Sequence, residues 1–351
     1  VPEPHTGGRL RLNSLCGINL AGHALTRAGY RYAYVYAEPT DPLALDVVTT
    51  RSQAGRVRRL LRGARIGRVG ENPAGFETCL VNRAGLAERF GLEVVDIDLR
   101  EQVFAAAQAI PQAEAQAIGA ELATRVSGLA DLDTSATEKT LKTYVTLKDM
   151  ADSQRLQGFA VRCWPEFFTE LGCAACGAMS LLSDGLTPSS CEVDVNGTIT
   201  QFILQTLSGE PAFGSDLVSV DPEADALVLW HCGLAPLAMA DPDTTPGVTI
   251  HSNRKLPLLL DFALKPGQVT VARLSEAAGD FRLVIGMGEI VRGRKPFSGT
   301  TGLLRLDRHA DQILDRILAE GLEHHLSLTY GDHRPALRAL AHMLNLPVYE
   351  L

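Results

Sequence analysis

No stretch of this chain approaches the roughly 18 consecutive apolar residues that a membrane-spanning helix needs, so no such helix is expected. There is no block of lysine and arginine: 33 Lys+Arg face 41 Asp+Glu, a formal net charge of −8. Binding nucleic acid in general requires a basic footprint to neutralise phosphates, so that class is excluded too. Val1-Pro2-Glu3-Pro4-His5 lacks a charged segment leading into an apolar core, so no secretory signal is expected and the expected compartment is cytoplasmic. Cysteine is sparse and odd in number: Cys16, Cys79, Cys163, Cys173, Cys176, Cys191 and Cys232. That count reads as reduced thiols rather than a disulfide framework. Cys173-Ala174-Ala175-Cys176 is the one C-x-x-C and lacks the second pair of a zinc ribbon, so small thiols packed at an element end are the simpler reading. Gly67 and Gly70 do not complete G-x-G-x-x-G, which leaves them as turn glycines rather than a nucleotide fingerprint.

What is present is an ordinary globular composition, 46% hydrophobic and 21% charged over 351 residues. At roughly 100–200 residues per domain, two or three domains are expected. Residues 9–150 read as alternating strands and helices. Tyr30–Tyr36 is rich in strand formers, Arg51–Arg62 is helical, and Arg65–Gly70 is a strand into a glycine turn. Asn82–Phe90 is a helix stopped by Gly91, and Leu92–Asp98 is the next strand. Strand–helix–strand at this spacing implies a parallel, doubly wound unit. Residues 101–158 carry helical spacing with a break near 131–135. From about 245, short strands separated by Pro266-Gly267 and Ala278-Gly279-Asp280 suggest an antiparallel barrel, with helices at Asp311–Glu320 and Arg334–Leu344. The expected division is an α/β domain over 1–150, a second α/β domain over 151–244, and a barrel domain over 245–351.

Three segments carry residues suited to chemistry. In Ser190–Gly197, Glu192 and Asp194 lie two apart beside a helix start near Val195, and Asp194 reads most simply as complementing that helix's dipole. Asp216 follows Phe213-Gly214-Ser215. His231 ends the strand-like run Ala226–Trp230, and carboxyl ends of strands are where α/β proteins place ligands. Glu323-His324-His325 follows a helix stop at Gly321. Together Glu192, Asp216, His231 and His325 make a mixed oxygen and nitrogen set suited to Mn²⁺, Co²⁺, Fe²⁺ or Mg²⁺. Read singly, each residue has a plainer role: turn aspartate, buried histidine, loop histidine.

Arg162-Cys163-Trp164-Pro165-Glu166, Ser180–Gly185, Cys191–Asp194, Asp216 and His231-Cys232-Gly233 together resemble the L-fucose/L-arabinose isomerase superfamily. The likeness continues through His251-Ser252-Asn253, Asp261–Gly267 and His324-His325, covering 150–351 well and the first half loosely. The resemblance implies α/β domains followed by a β-barrel, and an aldose–ketose isomerase working through a cis-enediol. It implies a divalent metal, usually Mn²⁺ with Co²⁺ or Mg²⁺ as alternatives, and a homotrimer or homohexamer acting on a monosaccharide. By position, Glu192, Asp216, His231 and His325 would be metal ligands, with Glu192 and Asp216 also the acid/base pair. Trp164, His251 and His324 would contact the sugar. The chain is shorter than either named isomerase, so a shortened first domain is expected. An isomerase of a sulfonated or otherwise modified hexose such as sulfoquinovose, with Arg254 and Lys255 meeting the anion, is the alternative. A non-catalytic sugar-binding or regulatory protein is another, though it would not need four metal-type residues.

Overall fold

A computed structural model describes residues 13–351; the Val1–His5 segment read for a secretory signal lies outside the described residues. Helices α1 (Ser14–Arg27) and α2 (Pro42–Leu61) come first. Asp41 caps α2 by accepting from Leu43 N, and Pro42 sits in its first turn, where a missing N–H costs little. Between the two helices, Tyr30–Tyr36 is not the strand its composition suggests, and Tyr30, Tyr32, Tyr34 and Tyr36 are all exposed. Strand propensity describes how a side chain fits a pleated, half-buried surface, and among the described residues no neighbouring strand supplies one here.

The expected parallel unit follows as β1 (Arg65–Val69), α3 (Arg83–Phe90) and β2 (Glu93–Ile97). Asn82 caps α3, and Gly91 ends it at a φ of 68°, a left-handed value that favours glycine. Helices α4 (Ala105–Ala109), α5 (Gln112–Ala123) and α6 (Thr134–Gln154) come next, and Asp133 caps the last of them. Strand β3 (Gly158–Val161), α7 (Cys176–Asp184) and β4 (Ser189–Ser190) complete a four-stranded parallel sheet of order β2-β1-β3-β4. Because β3 pairs directly with β1, this sheet runs across residue 150 instead of ending there.

Helix α8 (Val195–Ser208) is buried along most of its length, packing against β3 on one side and the barrel on the other. Its buried polar side chains are satisfied where they lie: Thr198 donates to the Phe159 carbonyl, Gln201 to Ser190 Oγ and Asn196 to Glu276. The remaining strands are β5 (Phe213–Asp221), β6 (Ala226–His231), β7 (Gly247–Thr249), β8 (Leu259–Ala263), β9 (Gly267–Ser275), β10 (Arg282–Val291) and β11 (Thr300–Leu306). Then come α9 (Ala310–Ala319), β12 (His325–Tyr330), α10 (Arg334–Leu344) and β13 (Val348–Glu350). Six of these strands close on themselves in the order β10-β9-β12-β5-β6-β11, every pairing antiparallel. The fold is thus α/β with a parallel sheet, followed by a closed antiparallel β-barrel. The barrel takes β5 and β6 from before residue 245, so the run leading into His231 is a barrel strand and not part of the parallel sheet.

Candidate metal centre

Barrel registry sets three of the four candidate ligands. His325, the first residue of β12, lies opposite Asp216 on β5, and Asp216 lies opposite Trp230, one residue before His231. Glu192 arrives from the other side, in the turn between β4 and α8. Glu192 and Val193 adopt φ values of 58° and 62°, both left-handed. For non-glycine residues this costs about 1–2 kcal/mol each, and such strain collects where a side chain must be aimed. Asn72, from the loop after β1, steadies the turn by donating to the carbonyls of Glu192 (3.1 Å) and Val193 (3.3 Å).

The tautomer of His325 follows from its neighbours. Its Nδ1 is 2.8 Å from Asp194 Oδ2. Burial raises the Asp194 pKa, but the Arg273 guanidinium and His325 outweigh it and hold the carboxyl far below its usual range. An ionised carboxylate only accepts, so Nδ1 carries the proton and donates. His325 Nε2 then lies 3.0 Å from Asp216 Oδ1 and 3.8 Å from Glu192 Oε2, and makes no hydrogen bond. Three potential ligand atoms therefore converge on one point. Burial opposes charging His325, yet the Asp194 and Asp216 carboxylates raise its pKa well above the ordinary value. The same negative field that would put a proton on Nε2 would equally welcome a cation, and the donors of Asp216, His231 and His325 lie within 4.8 Å of one another. The residues present therefore fit a divalent metal.

His231 differs from His325. The Cys232 N–H donates to its Nδ1 at 2.9 Å, which puts the proton of the neutral ring on Nε2. Burial lowers its pKa and the Asp216 charge more than restores it. His324 stands beside Glu192, with Nε2 3.1 Å from Oε2 and Nδ1 2.8 Å from Thr78 Oγ1. Trp164 Nε1 donates to Glu192 Oε1 at 3.4 Å, and Phe76 packs edge-on against both Trp164 and His324. His251 is not brought to the carboxylates. Its ring packs on Phe168, and its Nδ1 is taken by the N–H groups of Asn253 and Arg254 in its own loop. The loop carrying Asn72, Phe76, Thr78 and Cys79 was not singled out from sequence, and only its proximity in space marks it. Cys79 lies within the cluster, but burial pushes its thiol pKa up, and a protonated thiol is a poor ligand for a hard cation.

Asp194 is more than the helix cap expected of it. Its Oδ1 does cap α8 by accepting from Gly197 N at 2.9 Å, while Oδ2 holds both His325 and Arg273. A side chain on Gly197 would collide with that carboxylate, which explains glycine there. The thiols also depart from expectation, because Cys163 and Cys191 form a disulfide across the ends of β3 and β4. The C-x-x-C cysteines do not pair with each other. Cys173 is buried with its pKa pushed up to about 12, and Cys176 Sγ instead lies 3.2 Å from Cys232 Sγ.

A closed barrel is thus docked on a parallel α/β sheet, with two carboxylates and a histidine that fit a divalent cation at the junction. Residues 261–351 match the family model of the L-fucose isomerase C-terminal domain. The chain is 34% identical over 348 residues to a sulfoquinovose isomerase of Priestia aryabhattai, covering 99% of this chain and 77% of the relative. It is 32% identical over 352 residues to a sulfoquinovose isomerase of Alkalicoccus urumqiensis, covering 100% of this chain and 79% of that relative. The chain belongs to the L-fucose isomerase-like sugar isomerases, and it is an aldose–ketose isomerase. Among the described residues, no helix is long and apolar enough to cross a membrane.

Proposed function

We propose that the chain interconverts the aldose and ketose forms of a sulfonated hexose such as sulfoquinovose, with Mn²⁺ held by Glu192, Asp216 and His325. The carrying observation is the unsatisfied Nε2 of His325 facing two carboxylates. The names of the relatives support the sulfonated substrate. When bound, the cation supplies Lewis acidity to the carbonyl end of the open-chain sugar.

The remaining work falls to the chain itself. Asp194 keeps the Nδ1 proton on His325 and so keeps Nε2 free to bind. Glu192 is the group best placed to take the proton at C2, with Asp216 helping to return one at C1. His324 donates Nε2–H to Glu192 because Thr78 O–H occupies its Nδ1, and this holds the carboxylate's direction. His231 presents Nε2–H to a sugar oxygen, a role its tautomer suits better than ligation. Trp164 offers an apolar face beside the reacting carbons.

Chelation followed by gel filtration is expected to abolish isomerisation, and added Mn²⁺ or Co²⁺ should restore it. Full turnover in a preparation shown to be metal-free by elemental analysis would sink the proposal.

Assembly is part of the same reading: a homotrimer or homohexamer. Leu15, Leu20, Tyr30, Tyr34, Leu45 and Val48 are all exposed within one N-terminal stretch. A concentration of exposed apolar groups of that kind marks an association surface. Light scattering should show a trimer or its multiple at assay concentrations, and an active monomer there would contradict it.

A further inference from the structure

Arg254 sits on the short loop between β7 and β8, its guanidinium carbon 4.8 Å from the centre of the Trp164 ring and 5.2 Å from that of Phe168. The loop is folded onto His251. His251 N donates to Leu256 O and Lys255 N to His251 O, both at 2.9 Å, while Asn253 N and Arg254 N reach His251 Nδ1 at 3.3 Å. The backbone of Arg254 is therefore anchored, and two aromatic faces hold its head group. Among the described residues no carboxylate lies within ion-pair distance of that head group, and its side chain makes no hydrogen bond. Stacking on aromatics fixes the plane of a guanidinium while leaving its in-plane N–H donors free, the geometry that receives an oxyanion.

Position and charge agree. The Trp164 indole that supports Arg254 on its face touches Glu192 through its Nε1 edge, so the cation and the carboxylate are separated by one indole. At the reacting end Arg273 is taken by Asp194, and Glu192 and Asp216 would take the bound cation, so the positive charges there already have partners. A fixed cation at the other end supplies a partner for an anionic substituent and orients the substrate.

We infer that Arg254 is a specificity-determining residue that binds a tetrahedral oxyanion, such as a sulfonate, at the end of the sugar remote from the reacting carbons. His251 is its positioning residue. The inference rests on the reading of the substrate as an anionic hexose.

The test compares kcat/KM for sulfoquinovose and for quinovose, the same 6-deoxyhexose without the sulfonate, in the wild type, Arg254→Gln and Arg254→Lys. The wild type should prefer the sulfonated sugar. In Arg254→Gln the ratio of the two kcat/KM values should fall about 10- to 100-fold, mostly through KM, as expected for losing hydrogen bonds to a charged group. Arg254→Lys should recover part of it. A wild-type preference that survives unchanged in Arg254→Gln, including through equal losses on both sugars, overturns the role of Arg254 and leaves the proposed substrate standing. A wild type with no preference overturns the anionic-substrate reading itself, and this inference with it.

Discussion

Glu192→Gln should turn over its sugar about 10²–10⁴-fold more slowly than the wild type while remaining folded, and Asp216→Asn should do the same. Glutamine keeps the shape of the side chain, but its one amide oxygen can accept from Trp164 Nε1 or from His324 Nε2 and not from both, and it loses the negative charge that faces His325 Nε2. Both the affinity for a divalent cation and the capacity to take a carbon-bound proton go with that charge. Steady-state kinetics at saturating Mn²⁺, with metal content measured on the same samples, separates the two losses. A Glu192→Gln variant that turns over normally with bound metal would remove Glu192 from the chemistry.

Arg273→Met should lower the melting temperature by about 10 °C. Arg273 is buried and pairs with Asp194, and its Nε lies 3.9 Å from Glu323 Oε2. Removing one partner of a buried pair costs roughly 3–5 kcal/mol because it leaves uncompensated charge, and each kcal/mol is worth about 2–4 °C in a chain of this order of size. Asp194→Asn should cost a comparable amount of stability, since it leaves Arg273 buried without its partner even though an amide oxygen can still cap Gly197 N, and it should weaken metal binding about 10- to 100-fold by freeing the His325 ring. The sign with pH follows from the depressed Asp194 carboxyl. Its contribution to stability is complete above the unfolded carboxylate pKa of about 3.9 and is lost as the pH falls below it. Thermal melts from pH 6 to pH 3 should therefore fall more steeply for the wild type than for Asp194→Asn. Parallel curves would show that the carboxylate does no more than cap.

The helices were legible where a cap announced them. Asn82 with Gly91 placed both ends of α3, and the 131–135 break where Asp133 caps α6 placed the start of α6, to within a residue or two. Tyr30–Tyr36 misled because composition reports a preference for a sheet without saying whether one is nearby. His231 was found by its place at the end of an apolar strand, although that strand belongs to the barrel. Asp194 and Glu192 looked alike as neighbours in sequence. Only the left-handed backbone at Glu192 and Val193 shows why one carboxylate points to the cluster while the other turns back to cap α8 and meet Arg273. The contribution of Asn72, Phe76, Thr78 and Cys79 had no local signal, since these residues reach the site across long stretches of chain. The Cys163–Cys191 bridge was equally silent, because a separation of 28 residues says nothing about β3 and β4 lying side by side.

The closed ladder of the barrel also bears on how such an enzyme can change. Asp216, His231 and His325 sit on three consecutive strands of a ring without free edges, so inserting or deleting one residue in any of them shifts the register for its neighbours and turns a site residue away. The reacting end is thereby locked against gradual variation. The 251–256 loop lies outside that ring, its hydrogen bonds largely internal, and it can be exchanged without altering strand registry. Chemistry and choice of sugar reside on parts of the chain that can be inherited and altered separately, which gives lineages, and protein engineers, a single short segment in which to rewrite what the enzyme accepts.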